Sequence, residues 1–92
     1  MKVQNMLSSR GNKIANQFII DDDNGNSFFQ SYNSVIVKRS SDGDVTLDKK
    51  YWDYSVTTGK YRNLFLNETK KETEAKIQSG LYALDDLNNK AA

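Results

Sequence analysis

The chain has 92 residues, with 13 Lys plus Arg against 12 Asp plus Glu, and it contains no His, Cys or Pro. Without imidazole and thiol groups, the sequence excludes His-dependent and Cys-dependent nucleophiles, thiolate zinc sites and redox dithiols. A net charge of +1 also argues against bulk electrostatic attraction to nucleic acid or anionic lipid.

Size and composition indicate one small globular domain. We expect residues 1–92 to form it, with frayed ends at residues 1–12 and 89–92. No apolar run approaches the ~20 residues that a membrane helix needs, and residues 1–10 lack the apolar segment of a signal peptide. Because the absence of Cys also fits a reducing compartment, we expect a cytoplasmic protein without a membrane segment.

The first predicted hairpin covers residues 14 to 32. Ile14, Phe18 and Ile20 fall on one parity of an extended segment, which predicts a strand with these side chains on one face. The dipeptide Asn24-Gly25 follows and favours a type I′ turn. Residues 28–32 are expected to form the returning strand.

A second pair of short strands is predicted over residues 35–37 and 45–47. The first is β-branched throughout, and Asp42-Gly43 supplies a turn between the two. Four short strands joined by short loops predict a small antiparallel sheet of about four strands in the N-terminal half.

The second half changes to a helical period. Apolar spacing of three and four residues at positions 61–65 predicts a short helix over about 58–66, with Thr57 or Thr58 as its N-cap. Gly59 weakens this prediction, since glycine is a poor helix former.

A second short helix is predicted over Lys70–Gln78, with Asn67 or Thr69 as its N-cap and Gly80 as the left-handed residue that ends it. Residues 81–87 can form either a last edge strand or a packed tail. The predicted fold is therefore α+β.

Basic and aromatic residues alternate between positions 49 and 63. Such residues stack on bases and meet phosphates in single-stranded nucleic acid sites, and they also dominate protein interface hot spots. The alternative is that Trp52 and two of the tyrosines form the core contact between sheet and helix. The predicted partner-binding residues are Lys49, Lys50, Tyr51, Trp52, Tyr54, Lys60, Tyr61 and Arg62.

Two acidic patterns resemble metal sites but lack residues that those sites require. Residues 21–25 begin like a calcium loop, but aligning their glycine with position six leaves Ser31 where a glutamate is required. Glu72, Glu74 and Lys76 resemble a nuclease pattern, but in helical surroundings Glu72 and Lys76 form an ordinary i, i+4 ion pair. We therefore predict no catalytic residue, no metal site and no cofactor.

One ordered set of strings runs through residues 12–88: Phe29-Gln30-Ser31-Tyr32-Asn33-Ser34, Leu47-Asp48, Tyr51-Trp52-Asp53-Tyr54-Ser55, Thr57-Thr58, Lys60-Tyr61-Arg62-Asn63, Phe65-Leu66 and Lys71-Glu72-Thr73. Together these strings resemble a family of small uncharacterised proteins of bacteriophages and mobile elements. That family has no attached function, so no catalytic residue carries over from it. The resemblance implies a setting in the host cytoplasm, where small phage proteins often bind and block host proteins.

Two functions follow as expectations. The first is a non-enzymatic accessory protein that binds and inhibits or modulates a host protein or nucleoprotein, such as defence machinery, in an anti-CRISPR-like manner. The alternative is a protein that binds nucleic acid directly through residues 49–63, with the steep salt dependence that phosphate contacts produce. An enzyme would have to rely on carboxylate, Lys, Tyr, Ser or Thr chemistry, and no spacing in the sequence indicates one.

Overall fold

Six strands and two helices make up residues 1–88, the part of the chain that this computed structural model describes. The strands form one sheet in sequential order, antiparallel except for the last pair, which is parallel. The α+β prediction is confirmed, but four strands is an undercount. The elements are β1 (Lys2–Leu7), β2 (Lys13–Asp21), β3 (Ser27–Ser31), β4 (Ser34–Arg39), β5 (Val45–Asp48), α1 (Val56–Leu66), α2 (Lys70–Gln78) and β6 (Ala83–Asp85).

The core lies between one face of the sheet and the two helices. Ile19, Phe29, Val37 and Leu47 are successive cross-strand partners, so they form one row across β2 to β5. Residues of α1 and α2 pack against this row, and the ring of Phe65 stacks on Phe29 with centroids 5.9 Å apart. Because side chains alternate along each strand, the apolar residues of this row all lie on the face that packs against the helices.

The N-terminal segment differs from the prediction. Residues 2–7, expected to fray, form β1 and pair with β2 along the edge of the sheet. The predicted frayed end at 89–92 lies outside the described residues. Asn16 has φ 66°, and this left-handed residue interrupts the alternation of β2. As a result Ile14 packs against the core, whereas Phe18 and Ile20, which follow the interruption, do not belong to the core cluster.

The tight turns also differ from the sequence-based expectation. Only Gly25 of the Asn24-Gly25 pair has a positive φ, in a three-residue loop closed by the hydrogen bond from Asp22 N–H to the Asn26 carbonyl. Such a loop carries its left-handed residue last, so a type I′ turn is ruled out. Tyr32, expected in a strand, lies instead in the two-residue turn between β3 and β4.

Helix α1 begins earlier than predicted. Its N-cap is Ser55, whose hydroxyl accepts the Thr58 N–H at 3.1 Å, so neither predicted threonine serves as the cap. Gly59 is accommodated inside the helix, where it is buried against the guanidinium of Arg62. Asn67 ends the helix in a left-handed conformation with φ 55°.

Helix α2 matches its predicted bounds because its signals are local. Thr69 is the N-cap, and it forms a capping box with Glu72: each side chain accepts the other residue's backbone N–H. The predicted ion pair between Glu72 and Lys76 is therefore wrong. Lys76 pairs with Glu68 instead, at 2.6 Å.

Glu68 is a nearly buried carboxylate that ties α2 and the following segment together. It accepts hydrogen bonds from Thr73 Oγ1 at 2.6 Å, from Lys76 Nζ at 2.6 Å and from the Tyr82 hydroxyl at 2.9 Å. Burial alone would raise the pKa of Glu68, but these three donors outweigh it and lower the pKa. Burial and the bond to Glu68 raise the pKa of Tyr82.

Replacing Gly59 by Ala is expected to stabilise the protein by about 0.5–1 kcal/mol, the usual gain inside a helix. An added Cβ would lie 3.6 Å from Nη2 of Arg62, which is ordinary contact distance. Urea denaturation measures the change. The matched control is Gly80→Ala, which should destabilise because Gly80 has φ 83°. A lower free energy of unfolding for Gly59→Ala would contradict the prediction.

The Glu68→Gln variant is expected to lose roughly 1–3 kcal/mol of unfolding free energy at neutral pH. Because the folded pKa of Glu68 is lowered, its stabilisation is present above the unfolded pKa of ~4.3 and is lost as pH falls through the folded value. Denaturation curves at several pH values should thus converge for the two proteins in acid. Glu74→Gln, a change at an exposed carboxylate of α2, should show no comparable convergence.

Candidate partner-binding site

Asp48, the last residue of β5, organises the turn that carries the predicted binding residues. Its carboxylate is only 1% exposed and accepts four hydrogen bonds. Oδ2 accepts the backbone N–H groups of Lys50 and Tyr51, at 3.1 and 2.9 Å. Oδ1 accepts the Leu87 N–H at 2.8 Å and the side-chain amide of Asn88 at 3.0 Å. The charge is thus buried with N–H donors on both oxygens.

Hydrogen bonds to Asp48 and within the turn hold the backbone of residues 49–54 in one conformation. The Trp52 N–H donates to the Asp48 carbonyl at 2.9 Å, and the Tyr54 N–H donates to the Tyr51 carbonyl at 3.2 Å. Helix α1 then begins directly after the turn, with Ser55 as its cap. The turn that carries these aromatic side chains is therefore held between β5 on one side and α1 on the other.

Two of these rings line a cleft of about 410 Å³ between the turn, the N-terminal end of α1 and the β3–β4 turn. Tyr51 and Tyr54 meet edge to face, with centroids 5.5 Å apart, and Tyr32 lines the cleft from the β3–β4 turn. We call this site the tyrosine cleft; its lining residues are Ser31, Tyr32, Asn33, Ser34, Ile36, Tyr51, Tyr54 and Thr58.

Among residues 1–88, the lining of the tyrosine cleft includes no lysine, arginine or carboxylate. The buried hydroxyls of Ser31 and Thr58 lie 3.0 Å apart and join β3 to α1 at one side of it. At the rim, Lys50 Nζ lies 5.3 Å from the centroid of the Tyr51 ring, a cation–π distance. The cleft is thus an aromatic and polar surface with positive charge beside it.

The predicted binding residues differ in burial, from exposed through half-buried to buried. Lys49, Lys50 and Tyr54 are exposed, and Tyr51 is half-buried at the cleft. Lys60 is exposed on α1 but does not line the cleft. Tyr51, Trp52 and Tyr61 are half-buried and pack against the core cluster, as the structural alternative proposed for Trp52 and two of the tyrosines.

Arg62 departs most from the prediction, because its side chain is buried and only 1% exposed. Nη1 donates to the Trp52 carbonyl at 2.6 Å, and Nη2 donates to Asn63 Oδ1 at 2.9 Å. The guanidinium also lies 5.2 Å from the Trp52 ring centroid. Arg62 therefore braces the turn from inside and presents no guanidinium to a partner.

Asp53 completes this internal brace. It lies 3.3 Å from Nη1 of Arg62 and 2.8 Å from Nζ of Lys70, at the start of α2. Although burial alone would raise the pKa of Asp53, hydrogen bonds from Lys70 and Arg62 lower it. The ion pairs join the turn to both helices.

Sequence reasoning missed Tyr32 and Asn33 as site residues. The available signal was the string Ser31-Tyr32-Asn33-Ser34 between two β-rich segments, since asparagine and serine favour tight turns. A tight turn there would have placed the tyrosine at the end of a hairpin. The contacts of this hairpin end with Tyr51 and Tyr54 depend on packing between distant elements, which the sequence pattern does not reveal.

The family model described as "Family of unknown function (DUF8033)" matches residues 1–80. No curated protein and no solved structure matches the chain. Within residues 1–88, neither helix has the length and apolar character needed to cross a membrane.

The Asp48→Asn variant is expected to lose roughly 2–4 kcal/mol of unfolding free energy, because an amide group would place N–H donors against N–H donors in a buried site. Urea denaturation checks the loss. Asp42→Asn is the matched control, since Asp42 is exposed in the β4–β5 turn. Equal stability of the two variants would show that Asp48 does not anchor the turn.

Proposed function

We propose that this chain, which belongs to the DUF8033 family of unknown function, acts by binding a partner rather than by catalysis. The observation that carries the proposal is the tyrosine cleft, in which three tyrosines surround an uncharged depression on a braced turn. Tyrosine supplies large contact area at low entropic cost and is enriched in interface hot spots.

The backbone of Tyr32 supports a role for its ring outside folding. Tyr32 has φ 56° at the first position of a two-residue turn, a place where positive φ is usually taken by glycine. A non-glycine residue in this conformation costs on the order of 1–3 kcal/mol. Tyr32 is 52% exposed, so about half of its surface stays open to a partner beside the cleft. A strained, half-exposed tyrosine at the edge of the cleft supports a binding contact.

A protein partner fits the cleft better than nucleic acid. Phosphate contacts dominate nucleic-acid affinity and require several free cations. The described part of the chain places no cation in the cleft lining, and Lys50 at its rim lies over the Tyr51 ring. Arg62, the guanidinium expected to meet phosphate, is buried. The direct nucleic-acid-binding alternative would rest on Lys49, Lys50, Lys60 and the exposed tyrosines, without the guanidinium of Arg62.

The partner we propose is a host protein or nucleoprotein in the cytoplasm of a bacterial cell. This part of the proposal rests on the resemblance to small phage and mobile-element proteins, which often block host proteins such as defence machinery. It is an argument from genomic setting and not from the geometry of the cleft. An anti-CRISPR-like inhibitor is the most specific form of it.

Affinity capture from a bacterial host lysate, with and without nuclease, tests the proposal. We expect a protein partner that the wild type retains after nuclease treatment and that Tyr32→Gly and Tyr54→Ala each weaken at least about tenfold, as hot-spot truncations do. Tyr32→Gly should still unfold cooperatively in urea, since relief of the strained φ offsets part of the contact area that is lost with the ring.

Two variants control this experiment. Asn67→Gly changes another left-handed residue without altering the cleft, and Val56→Ala removes an apolar side chain that is 92% exposed on α1. Both should retain the partner. Equal retention by the tyrosine variants would overturn the proposed site. A bound species that is lost with nuclease, and whose affinity falls steeply with salt, would establish the nucleic-acid alternative instead.

A further inference from the structure

A second cleft, of about 650 Å³, lies where the end of the turn, one side of α1 and the first residue of α2 come together. Among residues 1–88, none lines both this cleft and the tyrosine cleft. We call it the basic cleft; its lining includes Asp53, Lys60, Arg62, Asn63, Leu64 and Lys70.

Positive charge exceeds negative charge at the basic cleft. Within residues 1–88, three cations and one carboxylate line it, which leaves a surplus of two positive charges. Asp53 pairs with both Arg62 and Lys70, at 3.3 and 2.8 Å, so two cations share one carboxylate. Lys60 forms no ion pair in the described part of the chain, and its Nζ lies 5.3 Å from the Tyr61 ring centroid. A cleft with charge of one sign in excess attracts ligands of the opposite sign.

Arg62 carries part of this surplus beneath the surface. It is 1% exposed, and its Nε donates to no acceptor within residues 1–88. A buried cation needs a nearby anion, and the low dielectric of the interior strengthens their attraction. Because Asp53 is partly exposed and also pairs with Lys70, a second anion in the cleft would complete the neutralisation of Arg62.

Two N–H donors in the lining remain available to such an anion. Asn63 Oδ1 accepts from Arg62 Nη2 at 2.9 Å, and Nδ2 of the same amide has no acceptor within residues 1–88. Lys60 Nζ is the other donor. The two oxygens of a carboxylate accept bonds from donors of both kinds. Leu64, which is 58% exposed, adds apolar surface to the same lining.

Gly59 leaves space in the lining beside the guanidinium of Arg62. Its φ is not positive, and an added Cβ would lie at ordinary contact distances of 3.6 to 3.9 Å from three guanidinium atoms. Neither the backbone nor packing therefore requires glycine, which costs stability inside a helix. The missing side chain instead leaves room for a ligand, since Gly59 is itself a lining residue.

We propose that the basic cleft binds an acidic segment of a partner protein, in which an aspartate or glutamate is flanked by apolar residues. The carboxylate accepts from Lys60 and Asn63 above the buried Arg62, and an apolar neighbour packs on Leu64. The apolar lining favours a peptide over free phosphate. Nucleic acid is disfavoured because it needs several free cations, and within residues 1–88 Lys60 is the one cation of the lining without an ion pair. This site does not rest on the function proposed for the tyrosine cleft.

An NMR titration of the isotope-labelled protein tests the proposal, with a short blocked peptide in which a central glutamate is flanked by leucines. We expect the backbone amides of Gly59, Lys60 and Asn63 to shift until saturation. The same peptide with glutamine in place of glutamate should bind about tenfold more weakly, because it loses a charge-assisted hydrogen bond.

Three variants locate the peptide. Lys60→Glu should weaken binding of the glutamate peptide about tenfold or more. Lys71→Glu, the same charge reversal at an exposed residue of α2 outside the lining, should bind like the wild type. Gly59→Ala should raise the free energy of unfolding and yet weaken the peptide several-fold, a combination that misfolding could not produce.

Four outcomes would contradict the inference: equal affinity for the glutamate and glutamine peptides, wild-type affinity in Lys60→Glu, wild-type affinity in Gly59→Ala, or inorganic phosphate shifting the same amides at lower concentration than the peptide. The last would assign the cleft to a phosphate-bearing ligand. Tyr32→Gly should bind the peptide normally, and Lys60→Glu should retain the partner of the tyrosine cleft. Failure of one site is thus distinguished from failure of the other.

Discussion

The carboxylate of Asp48 is the interaction on which the second half of the molecule depends. A buried charge costs several kcal/mol in desolvation unless hydrogen bonds replace its water. Asp48 obtains those bonds from two separate segments, the turn after β5 and the residues after β6. The Lys49 N–H also donates to the Asp85 carbonyl. One side chain thus fixes both the turn that presents Tyr51 and the strand that closes the sheet edge.

Arg62 shows why residue types alone could not separate the site from its support. A hot spot and a buried cation–π brace use the same residues, Trp and Arg, at similar spacing. The difference lies in the carbonyl of Trp52 and the amide of Asn63, which take up the guanidinium inside the protein. Only the fold reveals that those acceptors converge on one side chain. The basic and aromatic segment therefore contains both a buried structural residue, Arg62, and exposed residues such as Lys50 and Tyr54.

Elements whose determinants lie close together in the sequence were predicted well, and elements that depend on distant residues were not. The bounds of α2 were predictable because Thr69 and Glu72 cap it within one turn. The strand β1 was not predicted and β6 was one of two alternatives for residues 81–87, since an edge strand is defined by pairing with residues far along the chain. The face of Phe18 and Ile20 was not either, because the left-handed Asn16 shifts the alternation that sequence parity assumes. Predicting the tyrosine cleft would require both the local turn signals and the pairing between residues far apart in the chain.

The two faces of the sheet are covered unequally. Within residues 1–88, the two short helices cover the face with Phe29, Val37 and Leu47. The tyrosine cleft lies on this helical side, where the N-terminal end of α1 meets the β3–β4 turn and the turn after β5. Because Asp48 and Arg62 fix that turn from inside the protein, the proposed binding surface depends on the same contacts that hold the fold together.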